Sequence, residues 1–204
     1  MINVKKLRCF IGWLAILLPW VVVVLSLAFG YSFPESISVT YYRAECVVPF
    51  MIILGSASIL LMYYDGYDKT DDILNTIAGI LGLGICFFPC WPDVTDLINV
   101  GTFRLPVEIS STIHNIVAIL FFVILSYISI FQFTKSSGEM TKNKKIRNVI
   151  YRVCGCCMVA SFLILLIPNL AIKVWLTEVI ALFFFGISWL TKSDIYKWLA
   201  ADPE

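Results

Sequence analysis

The stretch Met62–Asn75, MYYDGYDKTDDILN, sets four aspartates and one lysine between two long apolar runs. Each flanking run approaches the roughly 20 residues with which a helix crosses a bilayer core. A polar turn this short between runs of that length reads as the hairpin of two membrane-crossing helices. Gly66 suits the turn. Thr70 or Asp71 is expected to cap the following helix, and the carboxylates of Asp71 and Asp72 favour the positive end of its dipole. A divalent-cation site built from Asp65, Asp68, Asp71 and Asp72 is the competing reading, but the stretch lacks the Gly and Glu of an EF-hand loop.

Outward from this turn the rest of the chain repeats the pattern. Its 204 residues are 60% hydrophobic and 14% charged, with mean hydropathy +0.89. A soluble domain is about half apolar and about a quarter charged. Six apolar runs imply an all-α polytopic bundle, a single membrane domain over residues 1–204. Its spans are expected at about 9–30, 47–64, 73–89, 113–133, 149–168 and 175–190. Lipid leaves backbone polar groups to be satisfied within helices or closed barrels, and these runs are too continuous for barrel strands. Lys5, Lys6 and Arg8 ahead of the first run resemble a signal peptide. The run is longer than a signal core, however, and no A-x-A-like site follows Phe29, so it reads as a retained helix.

Lysine and arginine set orientation. With the N-terminus inside, Lys5, Lys6, Arg8, Lys69, Lys135, Lys142, Lys144, Lys145, Arg147, Arg152, Lys192 and Lys197 face the cytoplasm. Only Arg43, Arg104 and Lys173 face outward, twelve against three. Both termini are therefore expected inside, in a bacterial cytoplasmic membrane. The acidic turn is then cytoplasmic with net charge −3, and the loop Lys135–Arg147 beside it carries +4. Their attraction is expected to hold the second hairpin against the fourth helix and fifth. The overall net charge of +1 gives no basis for nucleic-acid binding.

Small residues mark packing faces: Gly55, Ser56, Ala57 and Ser58 on the second helix, Ala78, Gly79, Gly82 and Gly84 on the third. Pro19 and Pro49 are candidate kinks. Trp13, Trp20, Trp91, Trp175 and Trp189 fit interfacial belts. Cys90–Ser111 reads as a surface or re-entrant piece, and the tail from Thr191 to Glu204 as an interfacial amphipathic turn. Cys46 and Cys90 are the candidate disulfide pair if the outer compartment is oxidising, with the distance between them left open by the sequence. The thiols of Cys154, Cys156 and Cys157 spread around one helix, poor geometry for a metal.

Ionisable residues at membrane depth are functional candidates. The inner belt is Asp65, Asp71, Asp72, Arg147 and Arg152, with Arg152 placed to meet Asp65, Asp72 or a lipid phosphate. Arg147, Tyr151, Cys154 and Met158 share one helical face. The outer cluster is Arg43, Glu45, His114 and Glu178, with Asp93, Asp96 and Glu108 at similar depth. His114 beside a carboxylate such as Glu178 is the weak catalytic candidate. No nucleophile motif accompanies it, and one histidine excludes a three-histidine zinc site. No cofactor or metal is expected.

Six segments in order carry a resemblance: SVTYY (Ser38–Tyr42), YYDGYDKTDD (Tyr63–Asp72), FFP (Phe87–Pro89), HNIVAILFF (His114–Phe122), KKIRNVIYRVCG (Lys144–Gly155) and EVIALFFFGISWLTK (Glu178–Lys192). Together they resemble a family of small bacterial six-helix membrane proteins of unknown function. The most specific piece is Arg147, Asn148, Ile150, Tyr151, Cys154 and Gly155. That family carries a basic–acidic pair after the paired tyrosines, where this chain reads RAECVVPF. His114 and Ala118 are also similar to the start of a helix in Frag1/DRAM/Sfk1-like membrane proteins, a resemblance that implies a lipid-related role. The expected function is non-enzymatic binding of membrane lipid or of a protein partner. The alternatives are an oligomeric pore or sensor, of phage-defence type, with a cytosolic partner docked on the loops around Asp68 and Lys144, and a lipid hydrolase using His114. A classical transporter fits less well, since no inverted repeat is present.

Overall fold

All six helices begin before their apolar runs do, because capping groups and helix-forming charged residues extend them. The computed structural model describes residues 3–93, 97–136 and 140–196. Helix α1 is Val4–Ala28, α2 Ala44–Met62, α3 Lys69–Phe87, α4 Val107–Tyr127, α5 Lys142–Ser161 and α6 Lys173–Lys192. Asn3 Oδ1 accepts from Lys5 N at 3.0 Å and Lys6 N at 3.2 Å, which starts α1. Thr141 Oγ1 accepts from Lys144 N at 3.2 Å, which starts α5 inside the basic stretch. The cap of α3 is Asp68, accepting from Asp71 N at 3.0 Å, rather than Thr70 or Asp71. Asp68 is the residue with extended backbone angles, as a cap requires.

With their extensions, all six helices are long and apolar enough to cross a membrane. This is a multi-pass membrane protein. Helix α4 continues into a π-helical turn, Ile128–Gln132, and α5 into a 3₁₀ turn, Phe162–Leu166. Ser38–Tyr42 forms a further 3₁₀ turn. In the longest connection, β1 (Asn99–Val100) pairs antiparallel with β2 (Leu105–Pro106), Asn99 opposite Pro106. Gly101 takes φ +74° at the tip of this hairpin, a conformation that only glycine adopts freely. Helices α1 and α2 run on through Pro19 and Pro49.

The helices close into a ring in chain order: each packs on its neighbours, and α6 returns to α1. In lipid such contacts depend on close packing and polar glue more than on the hydrophobic effect. Gly79 lies against the Ser58 carbonyl and Met62, and Gly82 against Ser58 Oγ, so α2 and α3 approach backbone to backbone. Between α1 and α6 the same device uses Gly12 and Gly186. A Cβ added to Gly186 would stand 2.7 Å from the Gly12 carbonyl oxygen. Between α4 and α5 the glue is hydroxyl to carbonyl: Ser126 Oγ donates to Gly155 O at 2.7 Å, and Ser129 Oγ to Tyr151 O at 2.8 Å.

The start of α1 and the segment just after α6 lie at one end of the bundle, where Lys5 meets Asp194 at 2.9 Å. An aromatic core fills this terminal end, with the Trp189 ring 4.9 Å from that of Tyr64 and 5.3 Å from that of Phe133. Trp189 is therefore core and not interfacial belt, and Trp175 is also buried, against Phe33. Trp13, Trp20 and Trp91 are exposed. All seven cysteines are free. Cys46 turns toward α1, 3.3 Å from Ser26 Oγ, so it does not pair with Cys90. Asp96, Glu139 and Lys197, with the tail beyond it, lie outside the described residues.

Candidate functional site, a polar-headed cavity between α4, α5 and α6

The serine bonds between α4 and α5 come from the π turn and the turn of helix before it. Toward the far end of the bundle the two helices are joined through the Phe122 and Phe162 rings, 6.0 Å apart. Beside that contact is a cavity of about 340 Å³. Its polar lining is Ser36, Ser38, Cys90, His114, Asn115, Thr177 and Glu178. Its apolar lining is Ala118, Ile119, Phe122, Phe162, Leu165 and Val174. A narrower apolar cleft continues inward past Glu178 to Phe50, Phe121 and Leu182. Ligand sites are commonly a few hundred Å³, mostly apolar, with a few convergent polar groups.

Each polar side chain is placed by a local need of the backbone. Glu178 lies in the second turn of α6. Its Oε2 accepts from Ile37 N at 2.5 Å and its Oε1 from Ser38 Oγ at 3.1 Å. It thereby caps the SVTYY turn, whose first N–H groups have no partner within the turn. Trp175 N donating to Glu35 O at 2.9 Å ties the same segment to α6. Beyond α3 the chain leaves the helix at Phe88, and three side chains take its carbonyls. His114 Nδ1 lies 2.7 Å from Phe88 O. Ser110 Oγ donates to Pro89 O at 2.9 Å, and Tyr42 Oη to Cys90 O at 2.5 Å. Because a carbonyl only accepts, His114 Nδ1 carries a proton, and the neutral form of the ring then has its lone pair on Nε2. Burial, then the nearby Glu178 and Asp93 carboxylates, push the Cys90 thiol up to about 12. A thiol held there is a weak nucleophile at neutral pH.

The four residues of the expected outer cluster fall into two groups. His114 and Glu178 both line the cavity, and Ala118, the other residue of the resemblance on α4, lies on its wall. Arg43 and Glu45 meet elsewhere, around Tyr31. Arg43 donates to Ser32 O at 2.8 Å, pairs with Asp93 at 3.2 Å and lies 5.3 Å from the Tyr31 ring. Tyr31 Oη donates to Glu45 at 2.9 Å, which holds the phenol above its ordinary pKa. Glu108 is exposed at the start of α4.

At the terminal end, Asp71 is fully buried, accepting from Tyr67 N at 2.9 Å and Asn75 Nδ2 at 2.9 Å. Asp72 accepts from Gly66 N at 2.6 Å. Both carboxylates close the acidic turn on itself. The two charged loops are joined by Lys135 on Asp68 at 2.6 Å. That ammonium, hydrogen bonded to the carboxylate, holds Asp68 below its ordinary pKa. Arg147 is buried and pairs with Asp194 at 2.7 Å, while its Nε and Nη2 reach Tyr151 Oη. Arg147, Tyr151, Cys154 and Met158 are all buried, as one helical face would be. Asp65 and Arg152 are exposed, and Arg152 pairs with neither Asp65 nor Asp72.

Sequence reasoning missed Ser38 and Thr177 as cavity residues and Asp194 as the partner of Arg147. The adjacency of Thr177 to Glu178 was the available signal for one of them. The Asp194 contact joins positions 47 residues apart and has no local signature. Among the described residues, no group of three or more metal-ligating side chains converges. No known protein family, curated protein or solved structure matches the chain.

Proposed function

We propose that the protein is a non-enzymatic lipid-binding protein of a bacterial cytoplasmic membrane, with both termini in the cytoplasm. One observation supports this reading above the rest: the cavity of about 340 Å³ joins a polar end at Glu178 and His114 to aromatic and aliphatic walls between α4 and α5. That division suits an amphiphile, head against α6 and chain between two lipid-facing helices. Glu178 and His114 stand about 8 to 10 Å along their helices from the first residue, at ~1.5 Å per residue. This is the depth of a lipid's head and upper chain, and in the proposed orientation it belongs to the outer leaflet.

The test is native mass spectrometry of the full chain from mild detergent. A discrete lipid adduct on the unmutated protein, lost in Ala118→Phe, is the expected result. Lipid-free protein, or an adduct that survives filling of the cavity, overturns the reading. The lone pair left on His114 Nε2 favours a second reading, lipid hydrolysis. It predicts that His114→Ala abolishes lipid turnover, and unchanged turnover removes it.

A further inference from the structure

The cavity's chemistry goes further than lipid binding in general, and the inference rests on that reading. The hydroxyl and ring hydrogens of Ser38, Thr177 and His114 are already committed within the protein. Ser38 Oγ–H is given to Glu178. Thr177 Oγ1–H lies 2.9 Å from Lys173 O and 3.2 Å from Ser161 O. His114 Nδ1–H is given to Phe88 O. What these groups still offer is lone pairs: the Glu178 oxygens, His114 Nε2 and the hydroxyl oxygens of Ser38 and Thr177.

No lysine or arginine is among the described residues lining the cavity, and none pairs with Glu178. A carboxylate withdrawn from water and left without a cation is costly, and a cation brought to it relieves that cost. An ammonium has three donors and no acceptor, the complement of the lone pairs on Glu178, Ser38, Thr177 and His114, and the exposed Asn115 amide on the lining accepts as well as donates. A phosphate or carboxylate head would bring like charge and further acceptors. A hydroxyl head would fill one acceptor and leave the carboxylate unpaired. The Phe122 and Phe162 rings, also in the lining, offer π faces that favour a cation.

We propose that the cavity holds an amphiphile with a protonated primary amine as its head, the ammonium on Glu178 and the alkyl chain between α4 and α5. The head occurs both on an aminophospholipid and on a free long-chain amine.

The experiment titrates the full chain in neutral detergent at pH 7 with dodecylamine, 1-dodecanol and dodecyl phosphate, read by native mass spectrometry. Dodecylamine is expected to bind at least about tenfold more tightly than dodecanol, the scale of a charge-assisted hydrogen bond, and dodecyl phosphate more weakly than either. Glu178→Gln is expected to remove the preference while leaving dodecanol binding in place. Ala118→Phe is expected to block all three. Dodecanol or dodecyl phosphate binding the unmutated protein as well as dodecylamine overturns the ammonium proposal and leaves the lipid reading standing. That comparison needs no variant to fold. Binding of all three unaffected by Ala118→Phe overturns the lipid reading itself. Displacement of dodecylamine by phosphatidylethanolamine, and not by phosphatidylcholine, identifies the membrane lipid as the source. No displacement by either identifies a free amine.

Discussion

At the scale of single residues, the polar groups within the bundle divide into those that complete the backbone and those that hold distant segments together. Arg147 is of the second kind. It is buried against Asp194, the two side chains 8% and 10% exposed, and carries Tyr151 with it. Removing one partner of such a pair leaves a charge in low dielectric, which costs about 3–5 kcal/mol. Arg147→Met is expected to lose about 3 kcal/mol, the low end of that range, because Lys5 remains on Asp194. Chemical unfolding in detergent measures it, and adding Asp194→Asn should recover part of the loss. Asp68 and Lys135 make the opposite case. Both are half-exposed, so their pair orients loops and adds little stability. Lys135 depresses the Asp68 pKa on folding, so its contribution is present above the ordinary carboxylate pKa of 3.8 and is lost as pH falls through the lower folded value. Melting temperatures of the unmutated protein and Lys135→Met should differ slightly at pH 6 and converge at pH 2.

At the scale of elements, hydropathy locates helices and capping chemistry fixes their ends. Asn3, Asp68 and Thr141 each stand before a charged first turn that hydropathy assigns to a loop. The apolar periodicity does not register those turns, so the sequence spans start late. The packing faces of α2 and α3 were legible as Ser58, Ala78, Gly79 and Gly82, because small side chains have one main use in a lipid-facing helix. The matching pair across α1 and α6 was not, since Gly12 and Gly186 are single glycines in otherwise bulky runs. Each backbone approach makes a steric prediction. Gly186→Val sets a branched side chain against the Gly12 carbonyl and Ile16. It is expected to cost about 1–3 kcal/mol, as overpacking does. Gly55→Val, where an added Cβ meets nothing within 4 Å, is the control and should melt like the unmutated protein.

At the scale of the whole molecule, the ring of six helices leaves a polar-headed cavity beside α4, α5 and α6, where an aromatic contact replaces the serine bonds. The charge bias of the loops predicts which way this opening faces. A cytoplasmic reporter fused after Glu204 should be active, and a periplasmic reporter inserted at the Gly101 hairpin tip should be active too. The reverse pattern would place the cavity in the cytoplasmic leaflet.

Composition and run length determined by themselves that the chain is a bundle of six apolar helices, because a bilayer demands length and a satisfied backbone and both are local properties. His114 and Glu178 were legible as candidates for the same reason: an ionisable group at membrane depth is conspicuous in any apolar run. Their meeting on one cavity was decided only by tertiary structure. It depends on the Phe88–Cys90 carbonyls reaching His114, Ser110 and Tyr42, and on the SVTYY turn reaching Glu178. The separation of Arg43 and Glu45 into their own cluster, and the closure of Arg147 on Asp194, were decided there too. Those contacts join segments from 11 to over 140 residues apart, where no periodicity or spacing in the chain carries information about which partners will meet.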